Sequence, residues 1–347
     1  MKTLKKILLV AVVLLLPFKA GAVDMDMQEY LFGHIGDGYG WHITTINGNP
    51  VTINLPVIVH SKTSGWHCFS SKHIAEGETY DGFRIAAKGE AHEGKLVEIM
   101  PSGELVKPLD ISITKNVFGL MVNSLLVVLI ILLAARWYRR HDATQEAPKG
   151  FTGIIEMIVT MVEDDIIKEC VGKDYKRYSP YLLTAFFFIF INNLMGIVPF
   201  FPGGANITGN IAITLTLALC TFIAVNLFGN KHYWKDILWP DVPVYLKAFP
   251  LMPLIEIIGM FTKPFSLMIR LFANILAGHV MLLGVVAVVF LTAELGAAMN
   301  AGLSAIAVFF GVFMDVLELL VAFLQAYVFT MLSAVFIGLS RQEPETE

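Results

Sequence analysis

Two hydrophobic rhythms divide this chain. Up to about Ser112 the apolar residues come singly between polar ones, as in Val51-Thr52-Ile53-Asn54-Leu55 and Lys95-Leu96-Val97-Glu98-Ile99. A period of two puts one face of a strand in a core. Asn47-Gly48 and Ser102-Gly103 supply turn residues between such runs. From Val117 onward the apolar residues come in blocks of about 20, the length a helix needs to cross about 30 Å of hydrocarbon. A third pattern occupies the start. Lys2, Lys5 and Lys6 precede an apolar core from Ile7 to Leu16 that is too short to span, and Ala20-Gly21-Ala22 offers a small-residue cleavage site. This reads as a secretory signal, with an uncleaved N-terminal anchor as the alternative. On either reading the next segment is exported. The pattern thus predicts a signal peptide over 1–22, an exported β-rich extension over 23–112 and an all-α polytopic membrane domain over 113–347.

Within the membrane domain, Val117 to Ala135 is a first span that ends in Arg136-Trp137-Tyr138-Arg139-Arg140, a basic and aromatic patch suited to the cytoplasmic interface. Phe151 to Tyr178 sets Ile154, Ile155 and Ile158 against Glu163, Asp164, Asp165 and Lys168, the pattern of an amphipathic helix lying in the membrane plane. Tyr181 to Phe201 then spans outward and Ile211 to Gly229 spans back. The loop Pro202–Asn210 between them has no Lys or Arg, whereas the following loop has Lys231, Lys235 and Lys247, which places it inside. Two long apolar stretches remain, about Met252 to Leu291 and about Gly296 to Leu339. As helices each is roughly 60 Å long, so each must tilt, kink or leave the core, with Pro264 as a candidate hinge. Splitting the last stretch into two spans would put Asp315 and Glu318 near a turn, and a single long tilted helix is preferred. The expectation is about five spans and a cytoplasmic C-terminus.

Composition agrees, with 56% hydrophobic and 16% charged residues, against about 25% charged in soluble chains. A net charge of −4 suggests no nucleic-acid partner. Cys68, Cys170 and Cys220 have neither metal spacing nor an even count. The extension holds His34, His42, His60, His67, His73 and His92, but no pair has the spacing of a zinc site, so ordinary surface or strand histidines are expected, and no metal or cofactor. No G-x-x-x-x-G-K-[ST] is present, hence no nucleotide site in this chain.

The candidate chemistry lies in the two long helices, because charge inside an apolar membrane helix is costly and usually marks an ion path. Glu256, Lys263 and Arg270 recur every seven residues on one face, with Asn274 one turn beyond. His279 falls on the opposite face, about 13 Å farther along. On the last helix Asp315, Glu318 and Gln325 share a face. In an antiparallel hairpin, residues at equal depth have numbers with a nearly constant sum. Arg270 then falls level with Gln325, and His279 level with Glu318. Two such levels look like parts of a proton route; the alternative is a snorkelling arginine and a structural His–Glu ion pair.

The stretch Lys263-Pro264-Phe265-Ser266-Leu267-Met268-Ile269-Arg270-Leu271-Phe272-Ala273-Asn274-Ile275-Leu276-Ala277-Gly278-His279 resembles the signature of subunit a of the F-type ATP synthases. Leu324-Gln325-Ala326-Tyr327-Val328-Phe329 resembles its second motif, and Asn193-Leu194-Met195-Gly196-Ile197-Val198-Pro199 a third, in the family's order from about residue 113 onward. The resemblance implies that Arg270 faces the carboxylates of a rotating c-ring, with Asn274 and Gln325 as its polar neighbours. It implies Glu256 as an acid of the inner half-channel, and His279 with Glu318 as the imidazole and acid of the outer one, exchanged relative to many bacterial members. Asp315, Lys263 and Asn193 are further candidates. Gly196 stands where other members have Asp, so no proton role is expected there. The implied protein is a non-catalytic stator subunit in a bacterial inner membrane, working with c-ring subunits, a subunit b peripheral stalk and lipid. Rival readings are a secondary proton-coupled transporter, disfavoured by the lack of inverted repeats, and a membrane-anchored exported binding module.

Overall fold

The computed structural model describes residues 36–46, 49–142, 146–198, 201–238, 251–292 and 297–342. The signal and its cleavage site, His34, the Asn47-Gly48 turn, Pro199 and Lys247 lie outside the described residues.

The N-terminal part is β-rich, as its period of two requires. Strands β1 (Gly40–Ile46) and β2 (Asn49–Asn54) pair antiparallel. β3 (Pro56–Ser61) sits between β4 (Gly65–Ser70) and β8 (Leu109–Asp110), and β6 (Leu96–Ile99) between β5 (Phe83–Ile85) and β7 (Leu105–Val106). Val57, Val59, Phe69, Phe83 and Leu96 meet in one core. The Ser102-Gly103 turn closes β6 onto β7, with Gly103 at a φ of +80°. Tyr39 ties two sheets: its hydroxyl donates to Asp110 at 2.5 Å and accepts from the Leu96 amide at 3.2 Å. Burial, then the Asp110 carboxylate, push this phenol well above its ordinary range.

Helix α1 (Lys115–Tyr138) starts at Thr114, whose hydroxyl accepts from the Val117 amide. It buries only Asn116, Gly119, Asn123 and Ala134 while leaving Leu125, Leu132 and Leu133 exposed. Small and polar residues inside with leucine outside is the pattern of a lipid-facing helix. The single amphipathic helix expected over Phe151–Tyr178 is interrupted. α2 (Phe151–Val162) passes through a π-helical turn at Glu163–Lys168, and Gly172 then adopts φ +73° and ψ −135°, which no helical residue can hold. α3 (Tyr175–Ile197) begins afresh and is long enough to span alone.

α3 is the hub. Asn123 of α1 donates to Asn192, the Tyr181 hydroxyl lies 2.8 Å from that of Thr221, and Asn193 donates to the Ala322 carbonyl. α4 (Ile211–Leu227) turns by 98° into α5 (Lys231–Leu238). The two long helices are continuous: α6 (Leu251–Leu291, 41 residues) runs through Pro264, and α7 (Ala297–Arg341, 45 residues) carries Asp315 and Glu318 without a break. α7 ends clamped, with Arg341 donating to Asp174 and Asn230. Among the described residues, four helical runs are long and apolar enough to cross a membrane, or five with the bent α4–α5 pair. Residues Val280–Met314 form a compact unit separate from Ile35–His279 with Asp315–Glu347. Within that smaller unit the Thr292 hydroxyl lies 3.2 Å from Asn300.

Candidate functional site

α6 presents two unlike faces. On one, Ser266, Ile269, Arg270, Ala273, Asn274 and Ala277 form an exposed stripe at helical spacing. Among the described residues Arg270 has no hydrogen bond or ion pair. It borders an open cleft of about 380 Å³ lined also by Thr262, Lys263, Ser266, Leu267, Leu332 and Phe336. The Lys263 ammonium stands 5.7 Å from the centre of the Phe336 ring. Glu256 is exposed two turns before Lys263.

The other face is closed. His279 Nδ1 lies 2.9 Å from Glu318 Oε1, with the side chains 14% and 6% exposed. The distance is that of an ion pair, but the angles miss a hydrogen bond, and both Glu318 oxygens lack a hydrogen-bond partner among the described residues. A buried carboxylate in this condition demands a proton, water or a charge, because its desolvation is otherwise uncompensated. Gly278 makes the approach feasible, since a Cβ there would lie 3.3 Å from Glu318 Oε1.

The expected level of His279 with Glu318 is therefore a contact. The expected level of Arg270 with Gln325 is not a hydrogen bond: Gln325 is buried, whereas Arg270 and Asn274 are exposed. Asp315 is exposed, although it shares a sequence stripe with buried Glu318. Asn193 is buried and accepts from the Thr208 hydroxyl at 2.6 Å. Gly196, read from sequence as a lost acid, adjoins the site: a Cβ there would lie 3.5 Å from His279 Nε2. Sequence marks the Pro202–Asn210 loop only as one without Lys or Arg, and misses that its Thr208 reaches the site through Asn193.

Three of the extension's histidines, His60, His67 and His73, are placed by structural contacts. His73 stacks on Tyr80 and His60 lies edge-on to Trp66. His67 bridges Ser64 at 2.7 Å and Asp81 at 2.5 Å. That order resembles a Ser–His–Asp relay, which needs a buried acid to hold its imidazole. Here Asp81 is 56% exposed, and the bridge joins two turns.

A family model described as ATP synthase A chain matches residues 121–338, and one described as Domain of unknown function (DUF8433) matches residues 30–114. The chain is 35% identical over 353 residues to "ATP synthase subunit a 2" of Chlorobaculum tepidum, covering 98% of this chain and 92% of the relative. It is 41% identical over 256 residues to "ATP synthase subunit a" of Chlorobium phaeobacteroides, covering 71% of each. It is also 41% identical over 239 residues to "ATP synthase subunit a" of Myxococcus xanthus, covering 67% of this chain and 74% of the relative. With these matches over most of its length, the chain belongs to the ATP synthase A chain family.

Proposed function

We propose that this chain is the proton-conducting, non-catalytic stator subunit of a bacterial F-type ATP synthase, providing two half-channels to the carboxylates of a rotating c-ring. The observation that carries the reading is the division of α6 between an exposed guanidinium face and a buried imidazole–carboxylate face. On α7, Leu317, Leu320, Leu324 and Met331 are also uncovered, and Leu332 and Phe336 line the cleft beside Arg270. A face of small and apolar residues around one fixed charge suits close packing of lipid-embedded helices that each carry an acid.

Arginine keeps its proton, so Arg270 does not relay one. Its charge favours the ionised form of each arriving ring carboxylate, which releases its proton to one half-channel, and it obstructs direct passage between the two. His279 and Glu318 serve the outer half-channel, because imidazole and carboxylate bind and release protons. Glu256, two turns before Lys263 on the same helix, serves the inner one. Each proton crossing 100 mV carries about 2.3 kcal/mol to the rotor. The family resemblance makes Asn274 and Gln325 the polar neighbours of Arg270, with Asn274 on the same exposed stripe.

Topology follows from the basic Arg136–Arg140 patch and from Lys231 and Lys235. The signal is removed, the extension is periplasmic, and the C-terminus is cytoplasmic in the inner membrane. The c-ring and a subunit b stalk are the protein partners. N-terminal sequencing of the mature chain should begin near Val23, and a reporter fused near Gly89 should be periplasmic; a cytoplasmic reporter would invert the assignment of the half-channels. The function itself is tested by gentle detergent extraction. Co-purification with a small ring-forming hairpin protein and ATP-driven proton pumping in vesicles are expected. Isolation as a lone dimer with transport activity would instead establish a secondary transporter.

A further inference from the structure

The loop Phe201–Asn210 separates the buried His–Glu pair from the β domain, and it is held on both sides. Gly203, Ala205, Asn206, Ile207 and Thr208 are buried, although sequence marks them only as an uncharged connection. The Gly204 amide donates to the Met195 carbonyl at 3.0 Å, and Thr208 donates to Asn193. At Gly203 a Cβ would lie 2.5 Å from that of Val198, so the loop presses directly on the end of α3.

Two glycine notches fix where Ala205 sits. A Cβ on Gly196 would lie 3.5 Å from His279 Nε2 and 3.8 Å from the Ala205 carbonyl. The imidazole and the loop backbone thus border one small space. On the other side, a Cβ on Gly119 of α1 would lie 2.8 Å from the Ala205 methyl and 3.6 Å from the Trp41 ring. Trp41, on β1, is 4% exposed and packs with Ala205 and Ile207, its ring edge-on to Phe118 and Phe201. β1 is anchored in turn by its pairing with β2, and the preceding residues are tied to α1: the Lys115 amide donates to the Gly38 carbonyl at 2.8 Å and that of Asn116 to Asp37 at 3.0 Å.

His279 Nδ1 faces Glu318, so Nε2 is the ring nitrogen that meets the space under the loop. We propose that the β domain, through Trp41, holds this loop over the His279–Glu318 pair and thereby sets how water and protons reach His279 Nε2. The extension is then a working part of the channel mouth, and Trp41 and Gly119 are positioning residues. This rests on the outer half-channel role proposed above for His279 and Glu318. A displacement of about 1 Å in a positioning element can cost up to about a hundredfold in rate, so a clamp two contacts from the imidazole is a strong lever.

The test is ATP-driven proton pumping per assembled complex in membrane vesicles, measured across pH. The titratable groups at this level are His279, Glu318 and, one turn before it, Asp315. Trp41→Ala is expected to lower the rate roughly tenfold and to displace the pH profile, whereas Trp41→Phe, which keeps a ring in the pocket, should restore most of both. Should Trp41→Ala leave too little complex, Gly119→Ala decides, since its methyl displaces Ala205 from the helix side with Trp41 intact. An unchanged pH profile in the assembled variants would overturn the proposal, as would a loss of rate that Trp41→Phe fails to restore. His279→Ala, run in the same assay, separates the two layers. If it pumps normally the half-channel role itself fails; if it is inactive while Trp41 and Gly119 variants are normal, only the role of the β domain fails.

Discussion

Arg270→Ala is expected to abolish ATP-driven proton pumping and ATP synthesis while the complex still assembles. The structural cost is small because Arg270 is exposed and has no intramolecular partner among the described residues, and substitutions at such positions usually stay within about 0.5 kcal/mol. The functional cost is large. An opposite charge within about 4–6 Å shifts a carboxylate toward its ionised form by about 1–3 pH units, or about 1.4 kcal/mol for each unit. Without it a ring carboxylate has no reason to release its proton on arrival. Passive proton leak through the membrane sector should persist or rise, because the barrier between half-channels is weakened. Arg270→Lys should also fail substantially: an ammonium is more strongly hydrated, and can lose its proton when buried against the ring. Pumping rate, synthesis rate and leak, each divided by the amount of assembled complex, check all three. Normal pumping by the alanine variant would remove Arg270 from the mechanism.

What could be read from sequence followed from regular repeats. Residue number measures depth along a helix at about 1.5 Å per residue, so comparing numbers across the antiparallel α6–α7 pair was enough to bring His279 to Glu318, now 2.9 Å apart. The period of two located β2 and β6 in the same way. Where regularity stops, so did the reading. β7 and β8 have two residues each, too few to show a period. Gly172 was passed over in an otherwise helical run, although its φ of +73° turns the chain. Gly196 was judged by the side chain it lacks, while its importance is the space it leaves beside His279 Nε2. Trp41 and Ala205 meet across most of the membrane domain's first half, through a contact between segments of different periodicity that no local pattern encodes. Exposure was equally illegible: Asp315 and Glu318 are three apart on one helix, yet one is open and the other closed, because burial depends on which neighbour covers each position.

The His279–Glu318 pair should behave as one unit, and a double-mutant cycle can show it. Stripping one partner leaves the other buried without compensation, a loss of about 3–5 kcal/mol for buried pairs, so each single substitution should matter and the two losses should not add. Glu318→Gln removes the negative charge that favours the imidazolium. The rate of synthesis should fall, and its pH profile should change. The exchanged pair, His279→Glu with Glu318→His, keeps both groups at the same level. Gly278 leaves bare backbone against position 318, where a Cβ would otherwise stand 3.3 Å from the carboxylate, so an imidazole can occupy that side. The exchange should therefore restore much of what either single exchange loses. Rescue of assembly decides nothing by itself, because a purely structural ion pair also predicts it. Proton flux across pH at matched levels of assembled complex does decide, since a structural pair stabilises the fold without titrating in the transport cycle. Additive losses with an unchanged pH profile would show that the two residues act separately. The buried face of α6 would then be a fastening between α6 and α7, and the outer proton path would have to run elsewhere.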